Sequence, residues 1–579
     1  MKKQTLLLLA LLVTVGAQAQ REDNIWAFGY NSLDLPEHPG TERIFFDFSD
    51  DSLNITYTQS AMNFDNSNAS LCDAAGNLRL LCNGCRIADA EGSTVPGADS
   101  LNPGLTANLF CDSDYYTILQ NAILLPEPGN PDIAHLFHYP VVQSGQYIFS
   151  RNVLHSAVDL AANGGQGSTL LKNQPIVLDS LDSDGLHAVR HANGRDWWIV
   201  AAKQYSNTYH FVLLGTQGVS AQSQPIGPPT WSGAGGEIVF SPDGSKMARF
   251  NTRDDLRLFD FDRCTGTLSN PRHVTIQDDA DNQLFAGLAF SHDGRYLYAA
   301  EVLRVLQFDL QAPDLAASMT TVAEREPENC PFSSSLAYLE LGPDGRIYGR
   351  NLAGSYCMHL MKYPERAGTA CGFDQNAINF GTYGYKNLPH FPNFRLGPLD
   401  GSPCDSLGMD NLPRAAWRYD RSGGSGADFT SLAWGQPAWH AWDFADSASG
   451  TQNASTEANP AHNFSAPGAY EVCLTVGSPH GTHTHCKTVW VGTSSTGEAP
   501  AGSGLGVFPN PTSGWVQWGG TSGPVSVRVF DAPGRLVAEQ NTAEGRADLS
   551  LLQDGLYILT LRTEGGAVLH TQRLLIAKQ

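Results

Sequence analysis

Three groups of side chains have types and spacings that could do chemistry. His480, His483 and His485 cluster at a hairpin tip, and strand alternation puts His483 and His485 on one face, as a shared metal ion would require. No carboxylate ligand is fixed nearby and the adjacent Cys486 is expected in a disulfide, so the tip reads as solvated and no metal is assigned. Asp182-Ser183-Asp184-Gly185 and Asp278-Asp279-Ala280-Asp281-Asn282 offer hard oxygen ligands, which leaves calcium as the one cofactor open to this chain. Neither run completes the spacing of a calcium loop, and turns or solvated acidic loops are the default reading. Cys82-Asn83-Gly84-Cys85 has C-x-x-C spacing but neither the βαβ setting of a redox motif nor a second C-x-x-C for zinc. It reads as structural cysteines bonded to partners such as Cys72 or Cys111. There is no H-E-x-x-H, no G-x-S-x-G and no phosphate-binding glycine loop, so catalytic residues stay unassigned. A carboxylate pair for glycoside cleavage remains open, because in a repeat fold its members would come from distant segments and leave no local signature.

The cysteines point to an oxidising compartment. All 11 lie between Cys72 and Cys486, and an odd number leaves at least one unpaired in a monomer. Cys473 and Cys486 form the clearest pair. If the hairpin over residues 471–491 turns at Pro479-His480, they stand directly opposite each other, and opposed cysteines of a non-hydrogen-bonded pair can reach disulfide distance.

The elements that must position these groups are strands. With Gly 58 and Pro 33 in 579 residues, and no sustained apolar recurrence at i, i+3, i+4 and i+7, the chain is all-β. The formal net charge of -22 argues against binding nucleic acid or an anionic membrane through bulk electrostatics.

The middle of the chain is a repeat. His191-Ala192-Asn193-Gly194-Arg195, Ser241-Pro242-Asp243-Gly244-Ser245, Ser291-His292-Asp293-Gly294-Arg295 and Gly342-Pro343-Asp344-Gly345-Arg346 each separate two apolar runs, with glycines at 194, 244, 294 and 345. Spacings near fifty residues with a tight turn between strands mark the blades of a β-propeller. Weaker copies at Asp73-Gly76 and Pro128-Asn130 extend the array toward the N-terminus. About seven blades are expected, the last closed by an N-terminal strand such as Ile44-Phe48 pairing with strands from residues 355–396. Loops gather at the two ends of a propeller's channel, so the functional surface is expected on an axial face. The stretch from Ala88 to Asp114 is rich in Gly, Pro, Ser and Asp and gives the early blades larger loops, with Tyr115 and Tyr116 as candidate binding contacts.

The chain ends in four motifs in order: Pro509-Asn510-Pro511 with Gly514, Asp531 with Gly534-Arg535, Gly555 with Tyr557, and a hydrophobic tail closing on Lys578. Residues 505–579 therefore resemble the type A C-terminal sorting domain of the type IX secretion system, which implies that machinery as a partner and a secreted or cell-surface destination through the periplasm. Lys2-Lys3, the apolar run Leu6–Val15 and Ala17-Gln18-Ala19 agree, reading as a signal peptide over 1–19. No later stretch is long enough for a membrane span. Residues 409–491, with Trp442-Asp443-Phe444-Ala445-Asp446-Ser447, resemble a PKD domain, an immunoglobulin-like sandwich. Both glycines usual in that turn are absent, which puts its geometry in doubt. Such a domain is expected to act as a spacer, with a sugar- or protein-contacting module as the alternative. Residues 492–504 read as a linker. Within the propeller at 24–404, Trp26-Ala27-Phe28-Gly29, His187 to Trp198 and Asn393 to Gly408 resemble secreted propeller proteins that carry the same tail.

Three functions fit this organisation. The propeller serves as a binding or adhesion module for a glycan or protein; or it is a secreted polysaccharide- or peptide-degrading enzyme with its site on an axial face; or the chain is a structural part of an extracellular matrix or motility apparatus. Binding is the primary expectation and catalysis the lesser one.

Overall fold

The structure, a computed structural model, describes residues 20–29, 43–49, 53–58, 62–64, 66–116, 121–144, 147–182, 185–230, 236–251, 253–276, 286–326, 330, 335–352, 354–384, 388–491, 507–508, 512, 514–518, 524–531, 535–542, 545–553, 555–563 and 568–576. The signal segment 1–19, the linker 492–504 and the acidic run 278–282 lie outside these residues, as do Pro509, Asn510, Pro511, Gly534 and Lys578.

Among the described residues, seven sheets follow one another between Ile25 and Gly384. Four of them repeat one plan, in which four consecutive antiparallel strands run outward in sequence order; they start at His187–Arg190, Glu237–Phe240, Gly287–Phe290 and Ala337–Leu341. The first strands of successive sheets lie side by side around an axis, which makes this part a β-propeller. The turn after each first strand is built by its own sequence. In Ser241–Lys246 the Asp243 carboxylate accepts the Ser245 N–H at 3.0 Å, and Gly244 takes φ +70°. A Cβ on Gly244 would stand 2.7 Å from the Arg263 side chain and 2.8 Å from Leu396, so both the turn and its packing demand glycine.

The ring does not close through the ladder expected from the sequence. Arg43–Asp47 pairs with Ile25–Gly29 and Asn54–Thr58 inside its own three-stranded sheet, and among the described residues it pairs with no strand from 355–384. Closure runs through packing instead. Trp26, Phe46 and Phe48 set their rings against Tyr348, Phe28 and Phe46 meet Phe380, and the buried Arg350 guanidinium lies over Phe28 and Phe380. Each such aromatic pair contributes about 0.5–1.5 kcal/mol beyond its buried area.

Two smaller β units follow. Trp417–Gly423, Gly426–Ser431 and Ala461–Asn463 form one sheet of a sandwich, and Ala454–Ser455, Trp439–Asp443, Gly468–Ser478 and Gly481–Val491 form the other. Trp417, Phe429, Trp442, Phe464 and Leu474 fill the space between them. In the Asp443–Ser447 turn, Ala445 adopts the left-handed φ of +55° that glycine would normally take, so the turn survives the loss of its glycines. The C-terminal unit packs Trp515–Trp518 and its partners against the sheet Leu536–Thr542, Val525–Asp531, Gly555–Thr563, Val568–Ile576.

The sandwich is docked against the propeller. Arg418 donates to the Asp344 carbonyl at 3.0 Å and pairs with Glu365 at 3.2 Å, and Arg346 pairs with Asp420 at 2.6 Å. Trp434 of the sandwich donates its indole N–H to Gln20 at 2.9 Å. These charge-assisted bonds hold the sandwich against the propeller.

Candidate functional site

The axial channel carries a group of buried titratable side chains. His187, Glu237, Gly287 and Ala337 open four successive inner strands at a spacing of fifty residues, so alternation aims equivalent positions at the axis. Glu237 is buried and accepts the Leu288 N–H at 2.5 Å. Burial pushes its carboxyl well above the ordinary range despite that bond. Glu340 is raised as well, first by burial and then by the charge of Glu237, while the Phe391 N–H opposes the shift.

The chain fills this channel with its own segment 388–398, most of it buried. His390 bonds the Leu186 carbonyl at 2.9 Å, Phe391 stacks near Trp26, and Phe394 meets Trp197 edge-on at 5.4 Å. Asn393 donates to the Pro242 carbonyl at 2.7 Å, and Arg395 pairs with Asp23 at 2.5 Å. The segment thus touches sheets on opposite sides of the ring. Its exit is tied down by Leu399 donating to Ala192 and by the Cys264–Cys404 disulfide. The two glutamates are consumed by backbone donors inside the fold, and His187 and His390, held by burial to about 4 and about 3, are neutral there.

The early sheets show the opposite arrangement. The insert after Ala88 carries a short helix, Leu105–Phe110, that presents Leu105 and Leu109 to solvent at 70% and 62% exposure. One turn apart, they stand on one face. They line a groove of about 620 Å³ with Phe110, Val141, Val142 and Arg151. The insert is pinned beneath. Cys85 is bonded to Cys111, Arg86 grips Asp114 through two bonds of 2.8 and 2.9 Å, and Thr106 donates to the Val141 carbonyl at 2.8 Å. The His138 ring sits 2.6 Å from the Asn102 side-chain oxygen, which fixes Nδ1 as its N–H; Nε2 then accepts from Ser156 at 3.0 Å. Burial holds His138 at about 3, so it is neutral.

The residues singled out by sequence fall as follows. Tyr116 is 0% exposed and its hydroxyl accepts the Val141 N–H at 2.8 Å, so it is a core residue under the groove and cannot contact a ligand. Tyr115 is half-buried against Phe110. Asp182 is buried and paired with Arg249 at 2.6 Å, which removes it from any calcium site. His483 accepts the Ala415 N–H and His480 faces Asp400 and Asp410, and among the described residues no group of three or more His, Cys, Asp or Glu is placed to hold a metal ion. Cys473 and Cys486 stand opposite each other and are bonded, as are Cys330 and Cys357, while Cys72, Cys82 and Cys371 are buried free thiols. Of the tail motifs, Gly514 holds φ +138° against Ser550, Asp531 and Gly555 sit at strand ends, Arg535 precedes a strand, and Tyr557 donates to the Gln553 carbonyl at 2.9 Å. Sequence reasoning missed Glu237, Glu340 and the channel segment. The fifty-residue spacing of the inner strands was the signal that could have found Glu237; Glu340 lies three residues past the equivalent Ala337.

The PKD domain family matches residues 425–491, and the secretion system C-terminal sorting domain family matches residues 506–577. No curated protein matches the chain. A protein of Lactobacillus plantarum is similar in structure at 13% identity and a TM-score of 0.39, over 63% of this chain and 97% of that one. The PKD1 domain of the Vibrio cholerae metalloprotease PrtV is 27% identical, with a TM-score of 0.13, over 14% of this chain and 99% of that one. PorZ, a surface component of the type-IX secretion system of Porphyromonas gingivalis, is 11% identical, with a TM-score of 0.23, over 93% and 81% of the two chains. None of these likenesses lends this chain an activity. No helix among the described residues is long and apolar enough to cross a membrane. This is an exported protein, secreted or held at the cell surface, in which a β-propeller precedes a PKD domain and a type IX C-terminal sorting domain.

Proposed function

We propose that this protein is a binding module displayed or released outside the cell, and that its contact site is the groove beside Leu105–Phe110. One contrast carries the reading: the channel is filled by segment 388–398, whereas two leucines on a firmly pinned helix remain open to solvent. Exposed apolar groups on a pre-ordered support favour association, because little ordering cost remains at binding. The chemistry fits a protein segment that inserts an apolar side chain between Leu105 and Leu109 and sets a carboxylate against the exposed Arg151.

The test is an array of extracellular proteins and polysaccharides probed with the full chain and with a Leu105→Ser/Leu109→Ser variant, with product analysis on every positive spot. Capture of a protein by the parent and its loss in the variant support the reading. Cleavage products from a spot would instead favour the hydrolase, with Glu237 and Glu340 as its carboxyl pair.

A further inference from the structure

The outer face of the sandwich sheet carries an indole in an unusual setting. Trp439 stands opposite Gly477, and Gly477 stands opposite Thr482. A Cβ on Gly477 would lie 2.2 Å from the Trp439 ring, so the indole lies flat across the glycine and covers it. Gly477 is buried although it sits on the outer face, while Trp439 remains 44% exposed. One face of the ring rests on the sheet and the other faces solvent. Beside it on the same face are Thr482, Ala441 and the Thr475–Thr484 pair, whose hydroxyls meet at 2.8 Å.

We propose that this platform is a binding site for a neutral polysaccharide. The electron-rich face of an indole attracts the weakly positive C–H groups on the apolar face of a pyranose ring, and adjacent threonine hydroxyls can bond the sugar's rim. Charge decides between neutral and anionic glycans. Trp439, Ala441, Thr475, Thr482 and Thr484 contain no cation; along the same face follow Asp443 and the Cys473–Cys486 disulfide and then Glu471, in a chain of net charge -22. An acidic glycan would be repelled there, and a neutral one would not.

The same sheet supplies an internal control. Trp490 is 60% exposed, but it stands opposite Ala469 and has no glycine to lie on. Eight residues separate it from Thr482, about 27 Å of strand, so it belongs to a different patch.

The test uses the full chain and three neutral hexasaccharides, cellohexaose, laminarihexaose and mannohexaose, with hexagalacturonate as the anionic control, read by titration calorimetry. At least one neutral hexasaccharide is expected to bind in preference to hexagalacturonate, with Trp439→Ala weakening it about tenfold or more and Trp490→Ala leaving it unchanged. Gly477→Ala keeps the indole but lifts it from the sheet, and is expected to weaken binding by a smaller factor. Leu105→Ser/Leu109→Ser should not alter it, which separates this site from the groove. The proposal is overturned if no neutral hexasaccharide binds, if hexagalacturonate binds equally well, or if Trp439→Ala binds like the parent.

Discussion

The channel and the early-sheet groove are built from opposite materials. The channel concentrates carboxyls and imidazoles, and three of them bond the chain's own backbone: Glu237 to Leu288, Glu340 to Phe391 and His390 to Leu186. The groove sets Thr106, Arg151 and Asn152 beside its apolar side chains and leaves Leu105 and Leu109 exposed. A dense cluster of titratable side chains is therefore a poor guide to function where the fold itself satisfies them. Exposed apolar side chains on a pinned support are a better one.

Truncation gives the largest expected contrast between the two regions. Phe394 is fully buried against Trp197, so Phe394→Ala should cost about 3–5 kcal/mol, whereas each of Leu105→Ser and Leu109→Ser should stay within about 0.5 kcal/mol. Urea unfolding of the three variants measures this. A similar loss from the leucine variants would mean that the helix is core, not contact surface.

Acid should separate the regions next. Burial holds His135 at about 4 and His138 and His155 at about 3 beneath the insert. A histidine depressed from 6.5 contributes stability that is present above 6.5 and lost as pH falls toward its folded value. In the channel, His187 and His390 behave alike, but Glu237 and Glu340 are raised. Their contribution is complete below 4.5 and is lost as pH rises, so acid favours them. Between pH 6.5 and 4 the insert should therefore loosen before the channel. Amide exchange at Val141 should accelerate at a higher pH than exchange at Leu288 or Phe391; simultaneous loss would remove the distinction.

The smallest effect lies in the sandwich. Ala445→Gly relieves a left-handed alanine and should add about 1 kcal/mol. The thermal midpoint of the sandwich transition checks it, and no change would mean that Ala445 is not strained.

Much of the architecture could be read from sequence because it rests on local chemistry. The Asp-Gly turns at 244, 294 and 345 each need a positive φ, and the spacing between them set the repeat. Ring closure could not be read this way. Pro389 and Pro392 lack the N–H groups of a ladder, so the segment Leu388–Phe394 has no strand signature, and its role depends on Trp26 and Trp197, hundreds of residues away in sequence. Tyr116 was misplaced for a related reason. An aromatic between Tyr115 and Thr117 carries no local mark of burial, and it is Val141, on a later strand, that claims its hydroxyl. The groove was half legible: the composition of residues 88–114 announced an insert, but which of its side chains would stay uncovered depended on the Cys85–Cys111 and Asn102–His138 contacts.

The most direct measurement compares ligand capture and product release by three forms of the full chain: the parent, Leu105→Ser/Leu109→Ser, and Glu237→Gln/Glu340→Gln. A binding module working through the groove predicts that the leucine variant loses capture, that the glutamine variant retains it, and that no form releases product. Retained capture by the leucine variant, with product released by the parent and abolished in the glutamine variant, would contradict that account and place function in the channel.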